Sequence, residues 1–308
     1  MNSYDRRAAG NAPASSMVSF PRPSKGGATQ HLVVTMLGDF WKEETDWLPS
    51  RLILALAKSL GITASAASTA LSRLAGRGVL EQSSVGRSSR YRLTEAARIR
   101  LEIGFGQVSE FGSETRKWDG QWTVVGFTIP ETARETRELL RSRLKWLGFS
   151  PLYGALWVCP WDQTSAVDEA CEAYGVENYV VFRAKTSSLQ GREPIEAWDL
   201  DAMREQYFPF IESYGQVVPE STGNPLTPEQ AFQLRTKIMD DWRAFPWNDP
   251  GLPSKLLPAD FPLLTARKLF VSTYNGLAEP ALEYVREITR KEAPEAADSP
   301  NVLTVGNA

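Results

Sequence analysis

Three segments between residues 30 and 101 are predicted to be helical: a short apolar run and two segments with apolar residues at helical spacing. The predicted helices cover residues 32–37, 47–60 and 64–75. Gly38 and Gly61 are predicted to end the first two, and Thr63 to cap the third. Two short predicted strands, 79–80 and 91–93, enclose a polar hairpin that bends at Gly86. This order predicts a winged helix-turn-helix unit over residues 30–101.

The pattern changes between residues 118 and 190, where short apolar strands alternate with two helices. Predicted strands cover residues 122–128, 149–152, 155–159 and 179–183, and predicted helices cover 131–147 and 164–174. The resulting βαββαβ order predicts a ferredoxin-like domain that serves in dimerisation or as a linker.

Beyond a Gly/Pro break at residues 191–194 the pattern is helical. Predicted helices cover residues 198–214, 227–245 and 261–290, so 195–290 is expected to form a helical effector-binding or dimerisation domain. We expect residues 1–29, rich in Ala, Ser, Gly and Pro, to be a disordered leader, and 291–308 a flexible tail. The predicted fold class is therefore multidomain α+β.

The charge of the chain is distributed unevenly. The net formal charge of the 308 residues is only −3. Residues 1–100 hold 14 Lys and Arg against 7 Asp and Glu, a balance of +7, and the remainder carries −10. Such asymmetry is typical of a nucleic-acid-binding end joined to a domain of another kind.

Composition excludes several classes of site. A single histidine, His31, excludes sites built from two or more histidines, including most catalytic zinc sites. Cys159 and Cys171 lack metal-binding spacing, so we expect no zinc ribbon, no disulfide scaffold and no cofactor. No apolar run is long enough to cross a membrane and no secretion signal is present, which favours the cytoplasm.

The third predicted helix carries the chemistry of a DNA reader. Ala67, Ala70, Leu71 and Leu74 form one apolar face. The predicted DNA-contacting residues are Ser65, Ser68, Thr69, Ser72, Arg73 and Arg77, with Arg87, Ser88 and Arg90 on the hairpin. Small hydroxyl groups let a helix lie deep in the major groove, where Arg reaches guanine edges. The alternative is an Ala/Ser-rich helix whose surface happens to be uncharged.

The run AASTALSRLAGRGVLEQSSVGRSSRYRLT resembles the winged-helix domain of the PaaX family of bacterial transcriptional repressors. Residues 118–122 (WDGQW) and the run GFSPLYGALWVCP resemble the family's middle domain, and residues 242–258 its C-terminal domain. The similarity implies a homodimer that binds operator double-stranded DNA. It also implies release by an acyl-CoA thioester such as phenylacetyl-CoA, as in the control of phenylacetate catabolism.

A CoA thioester needs cations for its phosphates and an apolar cavity for its acyl group. Arg235, Arg243 and Trp247 are the candidate effector-binding residues. The alternative is that the aromatic side chains of this segment are core and that the arginines bind the Pro-rich segment to it.

The middle domain also resembles CRISPR-associated ferredoxin-like nucleases, which place a metal-binding Asp at the end of the first strand. That strand here ends FTIP, and Asp119 precedes it at the wrong end. The position of Asp119 disfavours a metal-dependent nuclease, which remains the alternative to a repressor. Two further alternatives are a CoA-ester-handling protein and a non-specific architectural DNA binder. We expect no enzymatic activity.

Overall fold

The computed structural model describes residues 20, 28–86, 88–113, 116–186, 191–216 and 226–306. Of the predicted leader, this includes only Phe20 and residues 28–29, and the latter two belong to the first helix. The fold is a mixed α+β arrangement with two small antiparallel sheets and many helices.

The N-terminal elements combine four helices with a three-stranded antiparallel sheet of order β1-β3-β2. They are α1 (Ala28–Phe40), β1 (Leu48–Pro49), α2 (Ser50–Ser59), α3 (Ala64–Gly76), β2 (Leu80–Val85), β3 (Ser88–Leu93) and α4 (Glu95–Glu110). The α3 helix and the hairpin occur where the sequence predicts them, and α2 lies within its predicted range. The hairpin strands are longer than predicted because polar residues continue the pairing from Leu80–Leu93 out to Val85–Ser88.

Two predictions in this region are wrong. Gly38 does not end α1, which continues to Phe40; a Cβ at Gly38 would lie 3.3 Å from Leu101 Cδ2, so the glycine allows close packing of α1 on α4. Trp47 does not begin a helix, because it precedes the short strand β1 and α2 starts only at Ser50. Gly61 has the positive φ of +74° expected where a helix ends.

The central elements follow one another in the order βαββαβ, with a short 3₁₀ turn before the first helix. They are β4 (Trp122–Phe127), α5 (Arg134–Trp146), β5 (Ser150–Tyr153), β6 (Leu156–Cys159), α6 (Thr164–Ala173) and β7 (Tyr179–Ala184). The sheet is antiparallel with the order β5-β6-β4-β7. One face packs on α5 and α6 through a core that includes Val125, Trp157, Leu140 and Leu144.

The C-terminal elements are helical but more divided than predicted. They are α7 (Leu200–Glu205), α8 (Phe208–Gly215), α9 (Pro228–Trp242), α10 (Phe245–Asn248), α11 (Leu263–Gly276) and α12 (Ala278–Glu292). A capping box starts α9, in which the Thr227 side chain accepts from Gln230 N and the Gln230 side chain accepts from Thr227 N. Pro209 and Pro246, each in a first helical turn, accompany the breaks before α8 and α10. The predicted helix over 261–290 is divided as well, at Leu277 between α11 and α12.

The N-terminal and C-terminal helices share one hydrophobic core. Phe40 of α1 packs against Phe232 of α9 with ring centroids 5.8 Å apart. Leu282 and Val285 of α12 belong to the same buried cluster as the α2 and α3 leucines. The predicted N- and C-terminal regions are therefore packed together rather than joined only by a linker.

The prediction of a flexible tail is wrong for residues 291–306. Asn301 N donates to the Phe40 carbonyl at 3.0 Å, and Trp41 Nε1 donates to Ser299 Oγ at 3.0 Å. Val305 is 3% exposed, and its backbone exchanges two hydrogen bonds with the Asn275 side chain, at 2.8 and 2.9 Å. Hydrogen bonds to Phe40, Trp41 and Asn275 hold this segment in place.

Candidate nucleic-acid interface

The α3 helix presents one buried and one solvent-exposed face, as predicted. Ala67, Ala70, Leu71 and Leu74 are at most 3% exposed. Of the nine side chains predicted to contact DNA, the six on and directly after α3 are all exposed: Ser65, Ser68, Thr69, Ser72, Arg73 and Arg77. Thr63 Oγ1 accepts from Ala66 N at 3.3 Å and caps the N-terminus.

The chemistry of this exposed face is that of small hydroxyl groups and free cations. Thr69 Oγ1 donates to Ser65 O at 2.9 Å, and the Thr69 side chain is exposed. Within the described parts of the chain, neither Arg73 nor Arg77 lies within 4.0 Å of a carboxylate. Both guanidinium groups are therefore available for phosphates or base edges.

The hairpin of β2 and β3 supplies the remaining predicted contacts. Val85 pairs with Ser88, and Gly86 turns with a φ of +62° that favours glycine. Ser88 is exposed and Arg90 partly buried, whereas Arg87 lies outside the described residues.

Sequence reasoning missed the aromatic side chain at the base of this hairpin. The Trp47 ring lies beneath two guanidinium groups, with centroid-to-Cζ distances of 4.9 Å to Arg90 and 4.7 Å to Arg92. Arg92 also pairs with Glu81, directly opposite on β2, at 2.7 Å. The sequence signal was a tryptophan directly before a proline-containing strand. It was concealed because the helical periodicity of α2 begins immediately afterwards.

The structure places the predicted effector residue Arg235 in the buried core. Its side chain is 0% exposed, and it forms two hydrogen bonds of 2.8 Å to the Asp39 carboxylate of α1. It also donates to the backbone carbonyls of Tyr274 and Leu303. Burial lowers the pKa of Arg235, but the Asp39 charge outweighs this and raises it above its usual value. These contacts favour the alternative in which this arginine joins protein elements.

The other two predicted effector residues have different surroundings from Arg235 and from each other. Arg243 pairs with Asp240 at 3.0 Å and contacts the His31 ring of α1, and burial lowers its pKa. Trp247 is 67% exposed on the short helix α10.

The second face of the central sheet is apolar as well. Trp122, Leu152 and Val158 are covered by a segment that includes Ile195 and Trp198. Beyond that cover, Val180 and Phe182 of β7 and Tyr153 of β5 are 54%, 45% and 52% exposed. Antiparallel sheets with one solvent face normally carry polar residues there, so this surface is typical of an interface.

Asp119, the carboxylate considered for a nuclease, is engaged by protein. It accepts from Arg183 Nη2 at 2.8 Å and from Gln121 N at 2.9 Å. Among the residues described, no group of three or more potential metal ligands converges. In the same residues, we find no helix with the length and apolarity required to cross a bilayer.

Comparisons with known proteins match almost the whole described chain. Family models match at residues 28–97 (PaaX-like protein), 115–196 (PaaX protein central Cas2-like domain) and 198–287 (PaaX-like protein C-terminal domain). The chain is 30% identical over 249 residues to "Transcriptional repressor PaaX" of Escherichia coli (strain K12), covering 78% of this chain and 77% of the relative. A solved structure, "Uncharacterized protein Rv0674 from Mycobacterium tuberculosis", has a similar fold, with a TM-score of 0.54 at 22% identity, covering 81% of this chain and 94% of that one.

Proposed function

The chain belongs to the PaaX family, and from this premise we propose that it is a transcriptional repressor. It binds a pseudo-palindromic operator as a homodimer and leaves it when a CoA thioester or related catabolic effector binds. Its E. coli relative is a repressor, a regulator that is not an enzyme, which agrees with the predicted lack of catalysis. Operator binding would place it in the cytoplasm.

The observation that carries this proposal is the exposed face of α3. With the preceding α2 and the following hairpin, α3 forms the element order of a winged helix-turn-helix. We propose that its hydroxyl-bearing residues and Arg73 enter the major groove, while Arg90 on the hairpin contacts the backbone or minor groove. The positive balance of residues 1–100 would attract DNA and the acidic remainder would face away from it.

Two-fold symmetry would come from the central sheet. Its strand order and βαββαβ connection match the ferredoxin-like plan, and its second face leaves an apolar patch around Val180 and Phe182 exposed. Its exposed residues Val180 and Phe182 are apolar, so the same patch of a second copy is a suitable occupant. A two-fold dimer would set half-sites apart by whole helical turns of DNA.

Release by an effector requires that the effector bind one dimer geometry better than the other. Arg243 and Trp247 remain candidate contacts for a CoA thioester. Arg235 is a weaker candidate, because its hydrogen-bonding groups are already engaged with Asp39 and two carbonyls. We expect it to transmit a change between α9 and α1 rather than to bind phosphate.

The test is a salt series of DNA binding by the parent, Arg73→Ala and Arg90→Ala. Loss of a bidentate contact by Arg73→Ala should relax base preference by about 1–3 kcal/mol at one position. Loss of a phosphate contact by Arg90→Ala should weaken binding to all sequences and reduce the salt slope by about 0.9. If both variants bind like the parent at every salt concentration, this mode of docking is wrong.

The nuclease alternative has its own assay, in which the chain is incubated with labelled DNA and Mg²⁺ or Mn²⁺. Sequence-independent cleavage that Asp119→Ala abolishes would favour it over repression. The Arg183 ion pair of Asp119 argues against it, because a carboxylate bound to arginine is a poor partner for a metal ion.

A further inference from the structure

Trp47 has a place in the fold that core packing does not explain. It is only partly buried and belongs to no buried hydrophobic cluster of the described chain. It lies at the end of the loop between α1 and β1. The Glu44 carboxylate shapes that loop by accepting from the backbone amides of Thr45 and Asp46, both at 2.8 Å.

The pairing of β1 with β3 fixes where the Trp47 ring meets the hairpin. Leu48 lies opposite Tyr91 and Pro49 opposite Arg90, so the residue before β1 is next to the end of β3. Arg90 and Arg92 are two positions apart on β3, and side chains at that spacing point to one face of a strand. Both guanidinium groups contact the one indole ring.

The two arginines differ in their other partners. The Arg92 guanidinium donates from Nε to Glu81 at 2.8 Å, which neutralises its charge. Arg90 has no carboxylate within 4.0 Å in the described residues, and its buried Nε finds no hydrogen-bond acceptor there. Among the described residues of the hairpin, Arg90 is therefore a cation without a carboxylate partner, and its guanidinium group packs on the Trp47 ring.

We propose that Trp47 is a positioning residue for DNA binding, which orders the Arg90 guanidinium so that it meets a DNA phosphate. This inference rests on the proposed function, because it assumes that the hairpin contacts DNA. An arginine already stacked on an indole loses less side-chain freedom when it binds a phosphate than a freely rotating one. Trp47 would thus increase affinity without touching DNA.

The test is a double-mutant cycle on a fluorescein-labelled 40-base-pair duplex of mixed sequence, which needs no knowledge of the operator. Trp47→Leu removes the ring, and Trp47→Phe retains an aromatic face. A cation–π contact at a partly exposed site corresponds to about a 2- to 5-fold change in affinity, so Trp47→Leu should weaken binding by that factor. Trp47→Phe should keep most of the affinity of the unsubstituted chain.

The cycle is completed by Arg90→Ala. In that background Trp47→Leu should have no further effect, because the cation that the ring positions is gone. The matched control is Trp146→Leu, which removes a ring stacked 4.3 Å from Arg143 on α5 and should leave DNA affinity unchanged. If the two losses simply multiply, the ring acts through general folding and the proposal is overturned.

A second measurement uses the protein without DNA. The Arg90 side-chain Nε–Hε signal should shift and its heteronuclear NOE should fall in Trp47→Leu, while the Arg143 signal stays unchanged. An unaltered Arg90 signal would overturn the proposal even if affinity fell. If the unsubstituted chain binds no duplex at all, the proposed function itself fails. If it binds DNA but the affinity losses of Trp47→Leu and Arg90→Ala multiply, only the proposed role of Trp47 is contradicted.

Discussion

The buried ion pair of Asp39 and Arg235 gives the sharpest prediction about this fold. It joins α1 to α9, and the two side chains are 2% and 0% exposed. Tyr274 Oη donates to the same carboxylate at 2.7 Å, which connects α11 as well. Arg235→Met keeps much of the apolar length of the side chain but leaves Asp39 charged and buried.

The expected cost follows from that uncompensated charge. Removing one partner of a buried pair destabilises a protein by about 3–5 kcal/mol. This is a large part of the roughly 5–15 kcal/mol that stabilises a typical domain. The double variant Asp39→Leu/Arg235→Met removes both charges, so we expect it to be more stable than Arg235→Met alone. The difference between their free energies of unfolding would measure how much of the loss in Arg235→Met comes from the unpaired Asp39 carboxylate.

The assay is urea unfolding followed by circular dichroism, with the loss read from the midpoint at constant slope. The control is Arg204→Met, which breaks an exposed pair with Asp260 (32% and 67% exposed) and should cost at most about 1 kcal/mol. A loss below about 1 kcal/mol in Arg235→Met would refute the structural role. If Arg235→Met showed so small a loss of stability and also no longer responded to acyl-CoA esters, Arg235 would be assigned to the effector site instead.

Three further predictions concern other parts of the molecule. Burial holds the pKa values of Tyr207, Tyr214 and Tyr274 above their usual range, so these residues keep their protons longer in the folded state. Above about pH 10 the unfolded chain loses these protons first, so the free energy of unfolding should fall by about 1.4 kcal/mol per pH unit for each tyrosine. A pH titration of tyrosinate absorbance tests this, and full ionisation of all tyrosines before the chain unfolds would contradict it. Phe182→Glu should convert a dimer to a folded monomer in light scattering, whereas Ile99→Glu, at another exposed apolar position, should not; a dimeric Phe182→Glu would exclude the sheet face. Deleting residues 299–308 removes the buried Val305 and an acceptor of Arg235, and should lower the free energy of unfolding by about 3 kcal/mol, while no change would agree with a flexible tail.

The elements that sequence periodicity located best are those with a local signal. Gly61 marks the end of α2 and Thr63 the start of α3, because a left-handed glycine and an N-cap acceptor each act within one turn of chain. The missed helix α4 had such a signal too, since Thr94 caps it by accepting from Ala97 N at 3.1 Å. Its apolar residues follow no single stripe, because Leu101 packs on one hydrophobic cluster and Phe105 on another, and periodicity therefore did not reveal it.

What the sequence could not show depends on distant partners. Gly38 was interpreted as a helix end, and only the approach of Leu101 explains why a glycine lies inside α1. Arg235 was interpreted as a phosphate ligand because its partner Asp39 is 196 positions away. The exposed polar face of α3 was predictable because one helix positions its residues, whereas Trp47 reaches Arg90 through strand pairing.

The most direct test of the central claim is selection of binding sites from a random-sequence duplex library with the purified chain. The account predicts enrichment of a pseudo-palindromic site with half-sites separated by whole helical turns. It also predicts that Arg73→Ala loses about 1–3 kcal/mol of discrimination at one symmetry-related base position. Failure of the parent to enrich any sequence, or an Arg73→Ala variant that enriches the same site with the same discrimination, would contradict the account.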